Sequence, residues 1–306
     1  MDEAGPIVPL LGAPTASGKS GLAIELARHL PLEVITADAM QVYVGMDIGT
    51  AKPGVEERSL VPHHLIDLVT PAQTFSVADW VREAEEAIAQ TLARGRLPLV
   101  VGGTGFYLQA LSRGLPTVPA ADPELQEPIW RELAERGLDA LVEELREASP
   151  IDAERSQRNP RRVVRALEVL RRTGRPPSEF PYDEPRFRTS LAVLEPPLEA
   201  LRPRIVQRCR RMFELGLAAE VRSLLERFPA PLTAMQAIGY KEVARALSGE
   251  ISLEEAEREV QLATVRYAKR QLTWFRRQAA DLRSPLLAQD ALPLLVGWLA
   301  RLKGFE

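Results

Sequence analysis

Ile7-Val8-Pro9-Leu10-Leu11-Gly12-Ala13-Pro14-Thr15-Ala16-Ser17-Gly18-Lys19-Ser20 begins as an apolar run and breaks into a turn rich in Gly, Pro and Ser. Residues 18–30 then take up helical spacing. A strand that turns and restarts as a helix aims several backbone N–H groups and a helix N-terminus at one point, which makes a concave anion site. Lys19 adds a positive charge to it, and the Ser20 hydroxyl can reach a magnesium ion. Ala13 stands where loops of this type usually carry glycine, and Gly12 lies one place too early. The extra methyl group limits the backbone locally but leaves the cradle. The bland alternative is a strand–helix turn that happens to contain Gly-Lys-Ser. The loop alone does not say which phosphate compound it holds.

Outward from this loop the pattern repeats. Residues 32–37 read as a second strand and residues 97–101 as a third that stops at Gly102-Gly103, with helical spacing over 80–92 between them. Strand, helix, strand, helix, strand predicts an α/β fold, a parallel sheet of the phosphate-loop NTPase kind flanked by helices. After Pro119 the sequence turns charged and helical from 122 to 148. A Pro-rich connector runs over 175–185, and residues 190–194 look like another strand. Helical sequence covers 201–228, a short piece after Met235, and 253–279. The expected organisation is a catalytic core of 1–117 and 183–306 with a helical insertion domain at 118–182.

At 306 residues, 45% hydrophobic and 26% charged, the chain has ordinary globular composition. No apolar run approaches the roughly 18 residues of a membrane span. The opening MDEAGPIVPLL is acidic where an export signal would be basic. The single cysteine, Cys209, leaves no intrachain disulfide or cysteine metal cluster. A cytoplasmic monomer away from membranes is expected. The net charge of −3 divides unevenly: residues 1–117 carry 8 Lys/Arg against 13 Asp/Glu, and the remainder carry 31 against 29. Local clustering of those later bases matters more for binding phosphate backbones than the total does.

Several further stretches belong with the phosphate loop: Asp38-Ala39-Met40-Gln41-Val42-Tyr43, Gly45-Met46-Asp47-Ile48-Gly49-Thr50-Ala51-Lys52-Pro53, and Gly102-Gly103-Thr104-Gly105. Later come Arg161-Arg162-Val163-Val164-Arg165-Ala166-Leu167-Glu168-Val169 and Gln236-Ala237-Ile238-Gly239-Tyr240-Lys241. In this order, and over nearly the whole chain, they closely resemble the tRNA dimethylallyltransferases, the bacterial tRNA isopentenyltransferases. The run from Gly45 to Pro53 is far more specific than the phosphate loop. The resemblance implies transfer of a dimethylallyl group from dimethylallyl diphosphate to N6 of adenine 37, 3′ of the tRNA anticodon. It implies that Ala13, Pro14, Thr15, Ala16, Ser17, Gly18, Lys19 and Ser20 hold the prenyl diphosphate, with Mg2+ at Ser20. It also implies tRNA contacts from Asp38, Ala39, Met40, Gln41, Thr104, Gln126, Arg161, Arg162, Val163, Val164, Arg165 and the segment Gln236, Ala237, Ile238, Gly239, Tyr240, Lys241.

The chemistry gives these residues roles. The adenine amine is a poor nucleophile because its lone pair is delocalised into the ring, so a base and a neutralised leaving group both help. Asp38 ends the second strand, where ligands of open parallel sheets bind, and it is the candidate general base. Thr104 follows two glycines that let backbone approach a ligand closely. By resemblance it touches the diphosphate or the base near the reacting centre. Two departures touch tRNA recognition: Ala39 replaces a common Ser, and Gln126 stands where the family usually has an arginine.

Residues 154–175 hold eight arginines against Glu154 and Glu168. Asn159-Pro160 can cap a helix there and Thr173-Gly174 can close it. Arg161, Arg165 and Arg172 share a face suited to phosphates, although a charge run is usually just a solvated face. A second stretch, Arg266-Tyr267-Ala268-Lys269-Arg270 and Trp274-Phe275-Arg276-Arg277, suits single-stranded RNA, with Trp274 and Phe275 equally able to face a core. His63 and His64 read as structural. A small-molecule kinase would also carry a phosphate loop and a strand-end carboxylate, but would not need the arginine-rich helices. An enzyme for free adenine nucleotides would not need them either, and an RNA-binding protein without catalysis would not need Lys19, Ser20, Asp38 and Thr104 together.

Overall fold

The structure, a computed structural model, describes residues 5–228 and 233–302. The chain divides into two compact units, residues 1–112 with 186–306 and residues 113–185.

The first unit is built on six parallel strands: β1 (Val8–Gly12), β2 (Leu32–Ala37), β3 (His63–His64), β4 (Leu97–Gly102), β5 (Thr189–Leu194) and β6 (Leu282–Ser284). Their order across the sheet is β3-β2-β4-β1-β5-β6. The four longer strands read as largely apolar runs because helices cover both faces. On one face Val8, Leu10, Ile35, Val100 and Val193 pack in one core; on the other Leu11, Val34, Leu99, Ala192 and Leu194 pack in a second. Fully burying one such side chain contributes about 1.5–3 kcal/mol. The α/β expectation holds. The two edge strands β3 and β6 are too short to carry a sequence pattern, and the helical reading of 201–228 is broken at Gly216, where φ is 97°.

The helices that shape the site are α1 (Lys19–Ala27), α2 (Val55–Leu60), α3 (Val77–Ala93) and α4 (Gly105–Arg113). In the second unit lie α5 (Pro123–Ala148), α6 (Pro150–Ser156) and α7 (Pro160–Thr173). The chain then returns to the first unit with α8 (Leu198–Glu214), α9 (Leu217–Arg227), α10 (Tyr240–Leu247), α11 (Leu253–Arg276) and α12 (Leu292–Leu299). The second unit has its own core, in which Leu141, Val142 and Leu145 of α5 meet Val163, Val164 and Leu167 of α7. Asn159 caps α7 through its side chain and Gly174 closes it in the left-handed region, as the sequence implies.

Candidate active site

Strand register brings the three motif loops to one place. Gly102 lies level with Gly12 on one side and with Ala37 on the other, so the chain leaves β1, β4 and β2 at the same row. The phosphate loop follows β1, Asp38 follows β2 and Thr104 follows β4. Gly102 is required by this closeness, because a Cβ there would overlap the Ala37 carbonyl. The Thr104 N–H donates to Ala37 O at 3.2 Å, the Ala39 N–H donates to Thr104 Oγ1 at 3.1 Å, and the Met40 N–H donates to Asp38 Oδ1 at 2.9 Å. Asp38 is thus held in a short turn with its second oxygen free of the bonds that fix it.

In the phosphate loop the backbone turns left-handed at Ala16 (φ 61°) and Gly18 (φ 92°). Ala13 is fully buried and lies outside the left-handed region, so the missing glycine costs the turn nothing. Arg208 of α8 reaches Thr15 Oγ1 at 3.3 Å, and Arg204 donates to Ala16 O at 2.8 Å. Burial above all, and then the charge of Arg208, pulls the Lys19 ammonium down to about 8 from 10.5, against the opposing pull of Asp38. Part of Lys19 still borders an open cleft of about 1260 Å3 that Ser20, Asp47, Lys52, Arg204 and Arg208 also line. A second cavity, about 20 Å3 and lined by Lys19, Ser20, Thr36, Asp38 and Gln41, has room for about one water.

Helix α11 backs two of these loops, the phosphate loop and the turn after β4. A Cβ at Gly12 would overlap the Phe275 ring, one at Gly103 the Gln271 amide, and one at Gly105 the Trp274 ring. Phe275 is buried and Trp274 half-buried, so both aromatics are core residues. The exposed side of this helix keeps Arg266, Lys269, Arg270 and Arg276, and exposed Arg277 caps its end. Gln271 and Tyr267 face inward, and burial, followed by the charge of Asp38, raises the Tyr267 hydroxyl above its usual range.

The Gly45–Pro53 run is a loop held from within and from below. Buried Lys52 donates to Tyr43 O at 2.7 Å and pairs with Asp47 and Asp67, each at 2.6 Å. Glu220 of α9 accepts from the N–H groups of Asp47, Ile48 and Gly49 and from the Tyr240 hydroxyl. Gly49 must be glycine because the Tyr240 ring lies where its Cβ would be. The two motifs around residues 49 and 240 are therefore one structure.

The remaining candidate residues fall into different settings. Gln41 is buried and donates to Thr50 O at 3.2 Å, while Ala39 and Met40 are half-buried beside Asp38. Tyr240 is fully buried, Gly239 is buried, Ala237 and Ile238 are half-buried, and Gln236 and Lys241 are exposed. In the second unit the side chains of Val163 and Val164 point into the core rather than to solvent. Gln126 donates to Glu168 at 2.6 Å, and Arg165 pairs with Glu168 at 2.7 Å and donates to Pro119 O. Arg171 pairs with Glu132 and Glu144, Arg158 with Asp139, and Arg175 with Glu179. Arg155, Arg161, Arg162 and Arg172 are exposed and have no carboxylate partner among the described residues. Of the face expected on α7, Arg165 is neutralised by Glu168 of the same helix, while acids of α5 take up Arg171 beside it.

Sequence reading missed Arg204, Arg208, Gln271 and Glu220. A signal existed for the arginines: Leu201, Ile205, Cys209 and Met212 form the buried stripe of α8, and residues 204 and 208 flank it. Gln271 and Glu220 carry no local signal, since their partners lie far away in sequence.

Over residues 41–278 the chain matches the family model described as IPP transferase. It is 56% identical over 275 residues to a tRNA dimethylallyltransferase of Thermus thermophilus, covering 90% of this chain and 91% of that protein. It is 50% identical over 295 residues to one from Deinococcus radiodurans, covering 94% and 96%. The crystal structure of the full-length tRNA isopentenylpyrophosphate transferase of Bacillus halodurans superimposes with a TM-score of 0.70 at 37% identity, covering 96% of this chain and 95% of that one. This chain belongs to the IPP transferase family, the family of the tRNA dimethylallyltransferases it resembles.

Proposed function

We propose that this enzyme transfers a dimethylallyl group from dimethylallyl diphosphate to N6 of adenine 37 in tRNA. The observation that carries the reading is the level convergence of Lys19, Asp38 and Thr104 beyond three adjacent strands. A leaving-group site and a base then face one another across a short distance, as displacement at carbon requires. The lone pair on N6 forms the bond to the allylic carbon, the bond from that carbon to the diphosphate oxygen breaks, and its electrons leave with the diphosphate. Asp38 accepts the N6 proton. Lys19, Arg208 and the N–H groups from Ala16 to Ser20 meet the charge that grows on the leaving oxygens.

Ser20 fits a magnesium ion as a hard oxygen donor beside that loop. Among the described residues no group of three or more His, Cys, Asp or Glu forms a metal cage, so Ser20 is the residue that would hold the ion. Such an ion supplies further positive charge to the diphosphate. To the second unit we assign the anticodon arm, supported by Arg155, Arg161 and Arg162, which no carboxylate neutralises among the described residues. No helix among the described residues is long and apolar enough to cross a membrane.

The test is incubation with dimethylallyl diphosphate, magnesium and unmodified tRNA, followed by mass spectrometry of the digested nucleosides. Wild type should yield isopentenyladenosine. Asp38→Asn should abolish transfer while tRNA affinity stays within a few-fold, because only proton removal is lost. Turnover by Asp38→Asn near the wild-type rate would overturn the base assignment.

A further inference from the structure

We propose that Gln271 is a positioning residue: its buried carboxamide ties the phosphate loop to the turn that carries Thr104 and so fixes the spacing between leaving group and acceptor. The inference rests on the prenyl-transfer reading above. Gln271 Oε1 accepts from the Thr15 N–H at 2.9 Å, and Gln271 Nε2 donates to Gly103 O at 2.8 Å. The residue is 6% exposed, so both bonds are made out of water, where they are stronger and where a missing partner is costly. Thr15 N–H has no other partner among the described residues. The glycine at 103 is part of the same device, because a Cβ there would occupy the place of the amide.

The bonds run on without a gap. Gly103 leads into Thr104, whose hydroxyl receives the Ala39 N–H, and Asp38 holds the next N–H at Met40. Thr15 leads into Ala16, whose carbonyl Arg204 holds. The amide therefore links the diphosphate seat to the turn beside the base, next to the backbone bond from the Ala13 N–H to Gly102 O at 3.2 Å. The role needs an acceptor and a donor on one neutral, planar group. Glutamine has both, an ionised glutamate only accepts, and methionine of similar shape does neither.

The test measures kcat and KM for dimethylallyl diphosphate and tRNA, and the Kd of dimethylallyl diphosphate by calorimetry, with thermal melting to set the folded fraction. In Gln271→Met both ties are gone. The Kd of dimethylallyl diphosphate should rise about tenfold and kcat per folded molecule fall about 10- to 100-fold, the scale of small misplacements near a reacting centre. The KM for tRNA should stay within about two-fold, since that change is specific to the donor side. Gln271→Glu gives a second readout, which survives poor folding of the first variant. Burial favours the protonated form of such a carboxyl, which accepts through one oxygen and donates through the other, as the amide does. The ratio of its kcat/KM to that of wild type should rise as pH falls from about 8 to 5.5. Wild type is carried at every pH, because Lys19 on α1, Asp38 after β2, Arg208 on α8 and Tyr267 on α11 itself surround the same turn. Unchanged Kd and kcat in Gln271→Met, or a pH-independent ratio in Gln271→Glu, would overturn the proposal. Failure of wild type to prenylate tRNA would instead overturn the proposed function, and the calorimetric Kd would still decide the clamp.

Discussion

Replacing Glu220 by glutamine and by alanine should separate the charge of this residue from its shape. Oε2 receives the Asp47 and Ile48 N–H groups at 3.1 and 2.8 Å, and Oε1 receives the Gly49 N–H at 3.3 Å and the Tyr240 hydroxyl at 2.6 Å. Glutamine can seat its oxygen at the first pair and its nitrogen at the second, where the Tyr240 hydroxyl turns from donor to acceptor. Only the longest bond, to Gly49, then loses its acceptor, together with the charge assistance of the rest. Bonds to charged groups contribute about 1.5–3 kcal/mol and neutral ones about 1, so Glu220→Gln should cost about 1–2 kcal/mol. Alanine removes all four bonds and strands the fully buried Tyr240 hydroxyl, for a cost of about 3–4 kcal/mol. Urea unfolding measures both, and the slope with denaturant should stay constant if only the folded state is affected. Because Asp47, Ile48 and Lys52 line the cleft, the KM for dimethylallyl diphosphate should rise in the same order. A stability for Glu220→Ala within about 0.5 kcal/mol of wild type, the range of an ordinary surface change, would refute the reasoning.

Lys19→Met should abolish dimethylallyl diphosphate binding yet raise stability at pH 7 by about 1–3 kcal/mol, because it removes a charge held unfavourably in the site. The sign follows from a folded pKa of about 8 below the model-peptide value of 10.5. The wild-type penalty is present below 8 and fades as pH climbs towards 10.5, so the advantage in thermal melting should vanish there. Burial alone would raise Glu33, but hydrogen bonds from Arg94, His64 and Thr91 outweigh it and hold the carboxyl at about 2. Its contribution is then present above about pH 4.5 and lost as pH falls towards 2. Glu33→Gln should destabilise at pH 7 by on the order of 2 kcal/mol and flatten the acid limb of a pH–stability curve. Arg161→Gln with Arg162→Gln should weaken tRNA binding and reduce the log–log salt slope by roughly 0.7–0.9 for each phosphate no longer neutralised, with melting temperature unchanged. An unaltered slope would leave α7 as a solvated surface.

What the sequence reveals and hides follows from the range over which each residue acts. The strands over 8–12, 32–37, 97–102 and 189–194 are visible because a sheet covered on both faces demands continuous apolar runs. Asp38 and Thr104 are visible because each follows such a run within two residues, and Lys19 because it opens the helix after the turn that ends β1. By contrast, β3 and β6 gain their hydrogen bonds from a longer neighbour and need no pattern of their own. The break at Gly216 rests on a single backbone angle inside a continuous helical periodicity. The arginines of α7 look unopposed in their own segment because Glu132 and Glu144, which neutralise Arg171, belong to α5. Gln271 and Glu220 find their partners 256 and 173 positions away, a distance at which no local composition informs.

The backing of two loops by one late helix also has a consequence in time. During synthesis β1, β2 and β4 emerge well before α11, and their apolar faces can begin to pair as soon as they do. The rings of Trp274 and Phe275 and the amide of Gln271 arrive some 170 to 260 residues after the glycines they meet, and long-range closures of this kind are slow to form. A nascent chain short of residue 253 would hold the phosphate loop and the Thr104 turn without the helix that backs and ties both. Catalytic competence should therefore appear in a single late step, as α11 docks, rather than grow with the length of chain released.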